Sequence, residues 1–165
     1  MKRLKLSIKA KQTLSVIFLI LSVAFMVLIF SFKNELTEYA SRLVKSQSTI
    51  DSTNKLSLRV DSAFNYRQNK LAYKVTFLEF GATGCSACKR METVMREIRT
   101  QYTGKVNVIF LNILLPENQD LMKFYGIAAI PTQVLLNDEG KEFFRHTGYF
   151  PENELIKILK SKGVK

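Results

Sequence analysis

The sequence is poor in residues that commonly bind metal ions. Among 165 residues it has two cysteines, Cys85 and Cys88, and a single histidine, His146. A structural zinc site normally takes four ligands, and here a third cysteine is absent while the histidine lies far along the chain. We therefore predict no metal and no cofactor. His146 follows Phe144 and Arg145 in an alternating segment, so we expect an ordinary strand residue there.

Acidic residues are absent from residues 1–12, which form a basic N-terminus. Lys2, Arg3, Lys5, Lys9 and Lys11 supply +5 of the net charge of +11, which leaves +6 for the rest of the chain. The later basic residues are scattered, without the basic and aromatic alternation or the motifs of nucleic-acid-binding proteins. This pattern argues against nucleic acid as a partner.

Charged residues are also absent from residues 13–32, a run of 20 residues. At a rise of about 1.5 Å per residue, a helix of this length matches the hydrocarbon core of a bilayer, which is about 30 Å thick. A buried core helix is rarely apolar on all sides over this length, and a cleaved signal peptide has a shorter apolar region that ends at small residues. The run therefore predicts an uncleaved transmembrane signal anchor in contact with lipid, with cleavage near Ala40 as the alternative.

The distribution of lysine and arginine predicts the orientation of this span. Five basic residues precede it, whereas Lys33, Arg42 and Lys45 follow it closely. Because basic residues favour the cytoplasmic side, we expect residues 1–12 in the cytoplasm and the rest of the chain outside the cytoplasmic membrane. Disulfides can persist in that compartment.

An amphipathic stalk and a linker are predicted for residues 33–54. Leu36, Tyr39, Ala40, Leu43 and Val44 recur with helical spacing, so the helix should continue to about Lys45. This apolar stripe over residues 36–44 could lie on lipid headgroups, mediate a dimer or dock on the folded domain, or the segment could be a plain stalk. The polar sequence SQSTIDSTN follows and indicates a linker, which leaves residues 55–165 for the folded domain.

Residues 55–165 alternate between short β-rich segments and helical segments, which is typical of an α/β layer structure. Asp138, Glu139 and Gly140 form a turn signal between two of the strands. Strands are predicted at 56–60, 74–80, 106–113, 132–138 and 141–149, and helices at 62–71, 85–102, 116–125 and 151–163.

Cys85 and Cys88 form a Cys-x-x-Cys motif where a predicted buried strand is followed by a helix. The N-terminus of a helix presents free N–H groups and the positive end of its dipole, which favours the thiolate form of Cys85. Cys85 is thus the expected nucleophile, and Cys88, which faces inward, the resolving thiol that releases a mixed disulfide. A purely structural disulfide is the alternative, but so small a loop constrains the unfolded chain little.

The segments FLEFGATGCSACKRM (77–91) and GIAAIPTQVLL (126–136) resemble the thioredoxin family, and residues 56–163 follow its order of elements. The resemblance implies a thioredoxin-like three-layer α/β fold, with a central mixed β-sheet flanked by helices, next to the N-terminal transmembrane helix. It also implies a protein-disulfide oxidoreductase that acts on protein disulfides or thiols.

The resemblance assigns further site residues by position. Ile130–Pro131 matches the family's cis-proline, where the preceding residue offers backbone hydrogen bonds to an extended substrate segment. Glu79 matches a buried carboxylate that relays protons to the resolving cysteine, and burial should raise its pKa. A surface glutamate on a strand edge is the alternative. Gly148 matches a glycine near the active surface, although a turn would explain it equally well.

The chain departs from the family pattern around the cysteines. Gly81 and Gly84 stand where the family has tryptophans, Ser86–Ala87 replaces Gly-Pro, and Thr93 stands where a proline is common. Gly84 is therefore expected in the floor of a substrate groove with little aromatic area. Because the residues between the cysteines tune thiolate stability, the direction of exchange stays open, and reduction of substrates is the direction we expect.

These features together predict a membrane-tethered thiol–disulfide oxidoreductase. Because the chain has two cysteines and none in the span, it cannot carry electrons across the membrane by itself, and a separate membrane redox partner is expected to reset the pair. The alternative is a non-catalytic client-binding or chaperone module with the same fold.

Overall fold

The computed structural model describes residues 8–46 and 50–165. Residues 1–7 of the predicted basic N-terminus and residues 47–49 of the predicted linker lie outside this range. The chain divides into two compact units, one that ends at Tyr39 and one from Ala40 to Lys165. Helix α1 (Ile8–Ser46) supplies most of the first unit and the start of the second, so the predicted continuation of the helix to about Lys45 is confirmed.

The first unit contains an apolar segment that is long enough to cross a bilayer. Among the described helices, one passes this test of length and composition, at Thr13–Phe32, with a mean hydropathy of 2.8 and none of it buried. Its large side chains are exposed, for example Phe18 at 75% and Phe30 at 67%. A core helix buries at least one face, so this exposure argues against a buried core helix. A signal sequence would show the same features.

The second unit is built around a mixed sheet. Its strands within the described residues are β1 (Val75–Gly81), β2 (Val106–Asn112), β3 (Thr132–Asn137) and β4 (Glu142–Thr147), in the order β2-β1-β3-β4. Strand β1 pairs parallel with β2 and antiparallel with β3, and β3 pairs antiparallel with β4. Every residue of β1 is buried, which confirms the prediction of a buried strand before the cysteines.

Helices cover both faces of this sheet. They are α2 (Ile50–Phe64), α3 (Tyr66–Asn69), α4 (Ser86–Gln101), α5 (Pro116–Phe124) and α6 (Glu152–Ser161). One apolar core joins Phe77 and Leu135 of the sheet to Met91 of α4 and Leu155 of α6. A second core joins Phe80 to Val60 of α2, with Leu121 of α5 packed against it. The predicted three-layer α/β fold is confirmed.

The predicted strand at 56–60 is wrong, because these residues belong to α2. Leu56, Leu58 and Val60 alternate as in a strand, but Leu56, Val60 and Phe64 also recur every four residues as in a helix. The structure buries the second set, with Leu56 at 6% and Val60 at 7% exposure, and leaves Leu58 72% exposed. Residues 50–54 of the predicted linker also lie in α2.

The last turns of α1, which belong to the second unit, pack against Gly126 of the same unit. A Cβ atom on this glycine would lie 2.6 Å from the Ser41 carbonyl oxygen and 2.7 Å from Cγ of Lys45, and its φ is +62°. Ala40 and Val44 are half-buried, whereas Leu43 stays 50% exposed. Of the alternatives for the apolar stripe, docking on the folded domain is therefore seen for its C-terminal end.

Candidate functional site: the Cys85–Cys88 disulfide

Cys85 and Cys88 lie just beyond the carboxyl end of β1, where the chain turns into α4. The two residues form a disulfide, with their Cα atoms 5.2 Å apart. Cys85 is half-buried, whereas Cys88 is only 2% exposed. Cys85 is therefore the sulfur that a second protein can reach.

The local backbone places Cys85 at the N-cap of α4, in an extended conformation with φ −80° and ψ 114°. Its Sγ accepts a hydrogen bond from the backbone N–H of Cys88 at 3.2 Å. Both this bond and the helix dipole stabilise negative charge on the sulfur. The geometry can therefore hold Cys85 as a thiolate when the disulfide is reduced.

Gly81 brings the backbone of β1 close to the buried cysteine. A Cβ atom at this position would lie 3.3 Å from Cβ and Sγ of Cys88 and 2.8 Å from the Phe110 ring. Side chains alternate along a strand, so Glu79 lies on the same face of β1, two residues earlier. Two residues of strand span about 6.6 Å, and the Glu79 position is thus close to Cys88.

Glu79 is completely buried, at 0% exposure. Its register partners are Phe110 on β2 and Gln133 on β3. Burial raises the pKa of the Glu79 carboxyl to about 8, and the nearby Gln133 amide offsets part of this rise. Neither carboxyl oxygen completes a hydrogen bond with any group in the described ranges. Glu79 is therefore a buried acid rather than a surface glutamate, and it can exchange its proton near neutral pH.

The Ile130–Pro131 peptide bond is cis, as the resemblance implied. Because Thr132 pairs with Phe80, Pro131 lies next to the end of β1, where Gly81 approaches Cys88. Pro131 is buried and its carbonyl accepts a hydrogen bond from the Gly148 N–H at 2.8 Å. Ile130 is half-buried, and within residues 50–165 its backbone N–H and C=O make no hydrogen bond.

Two glycines border this region. Gly84 is exposed with φ +87°, and a Cβ atom there would meet nothing within 4 Å, so the surface in front of the cysteines is open. Gly148 has φ +104° and is joined to Pro131 by the hydrogen bond described above. The structure thus brings Gly148 next to the cis-proline.

Several neighbours of the site were missed by the sequence reasoning. Gln133 is 0% exposed, and its Nε2 donates a hydrogen bond to the Gly148 carbonyl at 3.1 Å. A glutamine within the apolar strand TQVLLN is the signal that marks it. Tyr149 follows Gly148, is 40% exposed and lies under the Arg90 guanidinium, whose Cζ is 4.8 Å from the ring centroid. It supplies aromatic surface that the sequence analysis did not assign.

His146 lies on β4 opposite Gln133, and its ring stacks on Phe150 with centroids 4.6 Å apart. Among the residues that the structure describes, no group of three or more His, Cys, Asp or Glu side chains is arranged to hold a metal ion. The chemistry of the site therefore follows from its two sulfurs, the buried carboxyl and the proline loop.

A mixed sheet between helical layers, with a Cys-x-x-Cys disulfide at a helix N-cap and a cis-proline beside it, defines the class of thioredoxin-fold thiol–disulfide oxidoreductases. A family model described as "Thioredoxin-like domain" matches residues 63–163. The chain belongs to this family. Its members act on protein thiols and disulfides.

Individual relatives agree with this assignment. The chain is 29% identical to the thioredoxin of Staphylococcus aureus over 91 residues, which cover 55% of this chain and 85% of that protein. Thioredoxin NaTrxh from Nicotiana alata is 30% identical, with a TM-score of 0.51 over 66% of this chain and 85% of its own. A mutant thioredoxin from Halobacterium salinarum NRC-1 is 27% identical, with a TM-score of 0.51 over 58% of this chain and 80% of its own.

Proposed function

We propose that the chain is a membrane-tethered oxidoreductase that reduces disulfides in proteins outside the cytoplasmic membrane. One observation carries this proposal. The reachable sulfur, Cys85, lies at the N-cap of α4 and accepts the Cys88 N–H, while the buried sulfur of Cys88 lies near Glu79. The proposed nucleophile Cys85 and resolving thiol Cys88 thus lie in the first turn of α4, and the proposed proton acceptor Glu79 lies on the adjoining strand β1.

The proposed reaction starts from the dithiol form. The Cys85 thiolate attacks one sulfur of a client disulfide, forms a mixed disulfide and expels the other client sulfur as a thiolate. Glu79, as a carboxylate, accepts the proton of the Cys88 thiol. The Cys88 thiolate then attacks Cys85 Sγ, which releases the second client thiolate and forms the Cys85–Cys88 disulfide. Two electrons pass from the cysteine pair to the client.

A client strand fits beside the cysteines along the cis-proline loop. The unpaired backbone groups of Ile130 support this proposal, since an extended segment can pair with them as an added strand. Pro131 and Gly148 shape the loop, and the open space at Gly84 leaves room for the client backbone.

The reducing direction is part of the proposal. The direction of exchange depends on how strongly the reduced pair is stabilised relative to the disulfide, and strong oxidants of this chemistry stabilise the reduced form heavily. In the described part of the chain, the Cys85 sulfur accepts one hydrogen bond, from the Cys88 N–H, beside the dipole of α4. A reduction potential of the full chain well below that of its compartment is the expected result, and one well above it would reverse the proposed direction.

Membrane attachment is supported by the exposed apolar segment Thr13–Phe32, whose surface needs lipid to cover it. The excess of basic residues before the span supports an extracytoplasmic domain. A separate membrane thiol donor then has to reduce the pair after each cycle. Exposed Leu36 and Tyr39 leave residues 36–44 as a candidate contact for lipid headgroups or a second copy.

The central test is a pair of cysteine variants in cells. Cys88→Ser should accumulate mixed disulfides with client proteins through Cys85, because the resolving step is removed. Cys85→Ser is the matched control and should accumulate none. Non-reducing electrophoresis of the tagged full chain measures both.

The same variants separate the enzyme from a client-binding module. If the double variant Cys85→Ser/Cys88→Ser keeps full activity in the cell, the oxidoreductase proposal is wrong and client binding alone explains the function. Topology has its own test, since a C-terminal reporter that is active only in the cytoplasm should stay inactive. An active reporter would overturn the outward orientation without affecting the redox chemistry.

A further inference from the structure

Gln133 is a buried polar residue beside the apolar core that α4 and α6 form with the sheet. Its side chain shares a face of the sheet with Leu135 and is 0% exposed. The register places it directly between Glu79 on β1 and His146 on β4. Burying an amide that is not fully hydrogen-bonded destabilises a fold, so an apolar residue would suit packing better. Its presence calls for a role other than packing.

The hydrogen bonds of Gln133 lead from the acid to the client-binding loop. Its Nε2 donates to the Gly148 carbonyl at 3.1 Å, and the Gly148 N–H donates to the Pro131 carbonyl at 2.8 Å. On the other side, Oε1 of Gln133 and both oxygens of Glu79 have no hydrogen-bond partner within the described residues. One amide therefore lies between the acid, whose pKa it lowers, and the proline loop.

A primary amide can serve either protonation state of such an acid. A protonated carboxyl has one O–H, which can donate to the amide oxygen of Gln133. A carboxylate has only acceptors, so it needs an N–H, and the amide nitrogen carries a second hydrogen besides the one bonded to Gly148. The same NH2 group can therefore donate to the Glu79 carboxylate and to the Gly148 carbonyl, so ionisation of Glu79 draws on the amide that holds Gly148.

We propose that Gln133 is a positioning residue that couples the protonation of Glu79 to the Gly148–Pro131 loop through the amide that the two share. This inference rests on the proposed function in one respect, since it takes Glu79 as the proton acceptor for Cys88. When Glu79 takes up the proton, its carboxylate no longer competes with the Gly148 carbonyl for the amide hydrogens, and the hold on the loop becomes stronger. Proton transfer and the grip on the client strand are thus linked within one catalytic cycle.

Other groups around this position can titrate and must be separated from Glu79. Strand β2 presents the apolar Phe110, and α6 contributes Leu155 and Leu159. Strand β4 presents His146, and α4 presents Cys88 together with Met91. His146 and the cysteine pair are therefore the titratable neighbours. In the oxidised chain the cysteines form a disulfide and do not titrate, and a His146→Gln variant removes the imidazole.

The test is a pH titration of the oxidised full chain in lipid nanodiscs, from about pH 5 to about pH 10, followed by NMR of isotope-labelled glycine and glutamate. The Glu79 carboxyl signal is assigned from its loss in Glu79→Gln. We expect the Gly148 amide signal to titrate with the same midpoint as Glu79, in the native chain and in His146→Gln. In Gln133→Met, Gly148 should stop following Glu79, and the Glu79 midpoint should rise by roughly one pH unit because a donor is lost.

Two results would overturn the inference: a Gly148 signal in the native chain that ignores the Glu79 midpoint, or one that still follows it in Gln133→Met. The first needs no variant, so a poorly folded Gln133→Met leaves the test intact, and Gln133→Leu is the replacement. Failure of the proposed function looks different. If Glu79→Gln leaves the pH profile of thiol–disulfide exchange unchanged, Glu79 is not the proton acceptor, whatever Gln133 does.

Discussion

The two faces of the central sheet treat their buried polar residues differently. On the face covered by α2 and α5, Thr76 Oγ1 and Tyr66 OH lie 2.6 Å apart, and Thr132 Oγ1 donates to the Ala129 carbonyl at 2.8 Å. On the face covered by α4 and α6, Glu79 and Gln133 retain acceptor atoms without partners in the described part of the chain. Strands β1 and β3 thus carry paired polar side chains on one side and unpaired ones on the other, while the core under α2 and α5 holds one unpaired group of its own, the hydroxyl of Tyr125, which lies just after α5.

The paired and the unpaired polar groups of the strands have different consequences for stability. A buried polar group that is fully paired can stabilise a fold, whereas an unpaired one costs free energy and is rare in native proteins. The unpaired groups of the strands, on Glu79 and Gln133, lie on the Cys88 side of the sheet, and perturbed acids of this kind cluster at functional sites. We infer that the α4 and α6 face gives up stability where the redox chemistry needs an acid.

The largest expected effect is on the pH dependence of stability. Glu79 ionises at about 4.5 in the unfolded chain and about 8 in the folded one. The folded state therefore binds the extra proton between these values, and its stability falls as pH rises through this window. Glu79→Gln should remove the loss, which amounts to roughly 4 kcal/mol between about pH 5 and about pH 8. Urea unfolding of both proteins at several pH values measures the difference, and a constant difference would contradict the prediction.

The second effect is on the resolving step. In the proposed mechanism Glu79 is the proton acceptor for Cys88, so in Glu79→Gln attack on the mixed disulfide should slow by about 100-fold near neutral pH. Stopped-flow release of thionitrobenzoate from a mixed disulfide at Cys85 measures this step directly. Thr76→Val, on the opposite face of the same strand, is the matched control and should keep the native rate. Equal slowing in both variants would mean that the effect comes from packing.

A smaller effect is expected from Thr76→Val itself. The substitution removes one hydrogen bond to Tyr66 OH, which still accepts from Asn107 Nδ2 at 2.9 Å. The loss should be about 1 kcal/mol in the free energy of unfolding, without a change in reduction potential. A shift in the potential would show that the two faces are not independent.

The smallest effect concerns α2, which covers the apolar face through Val60 and Phe64. Leu58 points away from this face at 72% exposure, so Leu58→Ala should change stability by less than about 0.5 kcal/mol. Leu56→Ala is the matched variant at a buried position and should cost clearly more. Thermal unfolding of both variants measures the two losses of stability. Equal losses would contradict the helix, because residues 56 and 58 of a strand lie on the same face and would be buried alike.

The sequence predicts an element correctly where its local pattern fits only one type of secondary structure. The central strand, the helix after the cysteines and the β3–β4 hairpin are confirmed because apolar runs, the Cys-x-x-Cys position and the Asp138–Gly140 turn agree with one another. Residues 56–60 failed because their apolar residues fit two periods, and only packing against the sheet selects the helical one.

The candidate site divides in the same way. Cys85 and Cys88 stand out by residue type and spacing, and the family resemblance assigns Pro131 and Glu79 by position. Gln133 and Gly81 do not, because their importance depends on contacts between segments: the register of β3 against β1, and the approach of Cys88 to the β1 backbone. Such contacts have no signature within a single stretch of sequence.

Gly126 has a practical consequence for isolating the redox domain. The end of α1 lies so close to this glycine that a side chain there would collide with the Ser41 carbonyl. Residues 40–46 are thus part of the folded body even though they are continuous with the apolar helix. A shortened chain that starts at residue 55 would remove this cover and the first third of α2, and would expose apolar surface that favours aggregation. Truncation before Ala40 is the cut that should leave a soluble, intact oxidoreductase.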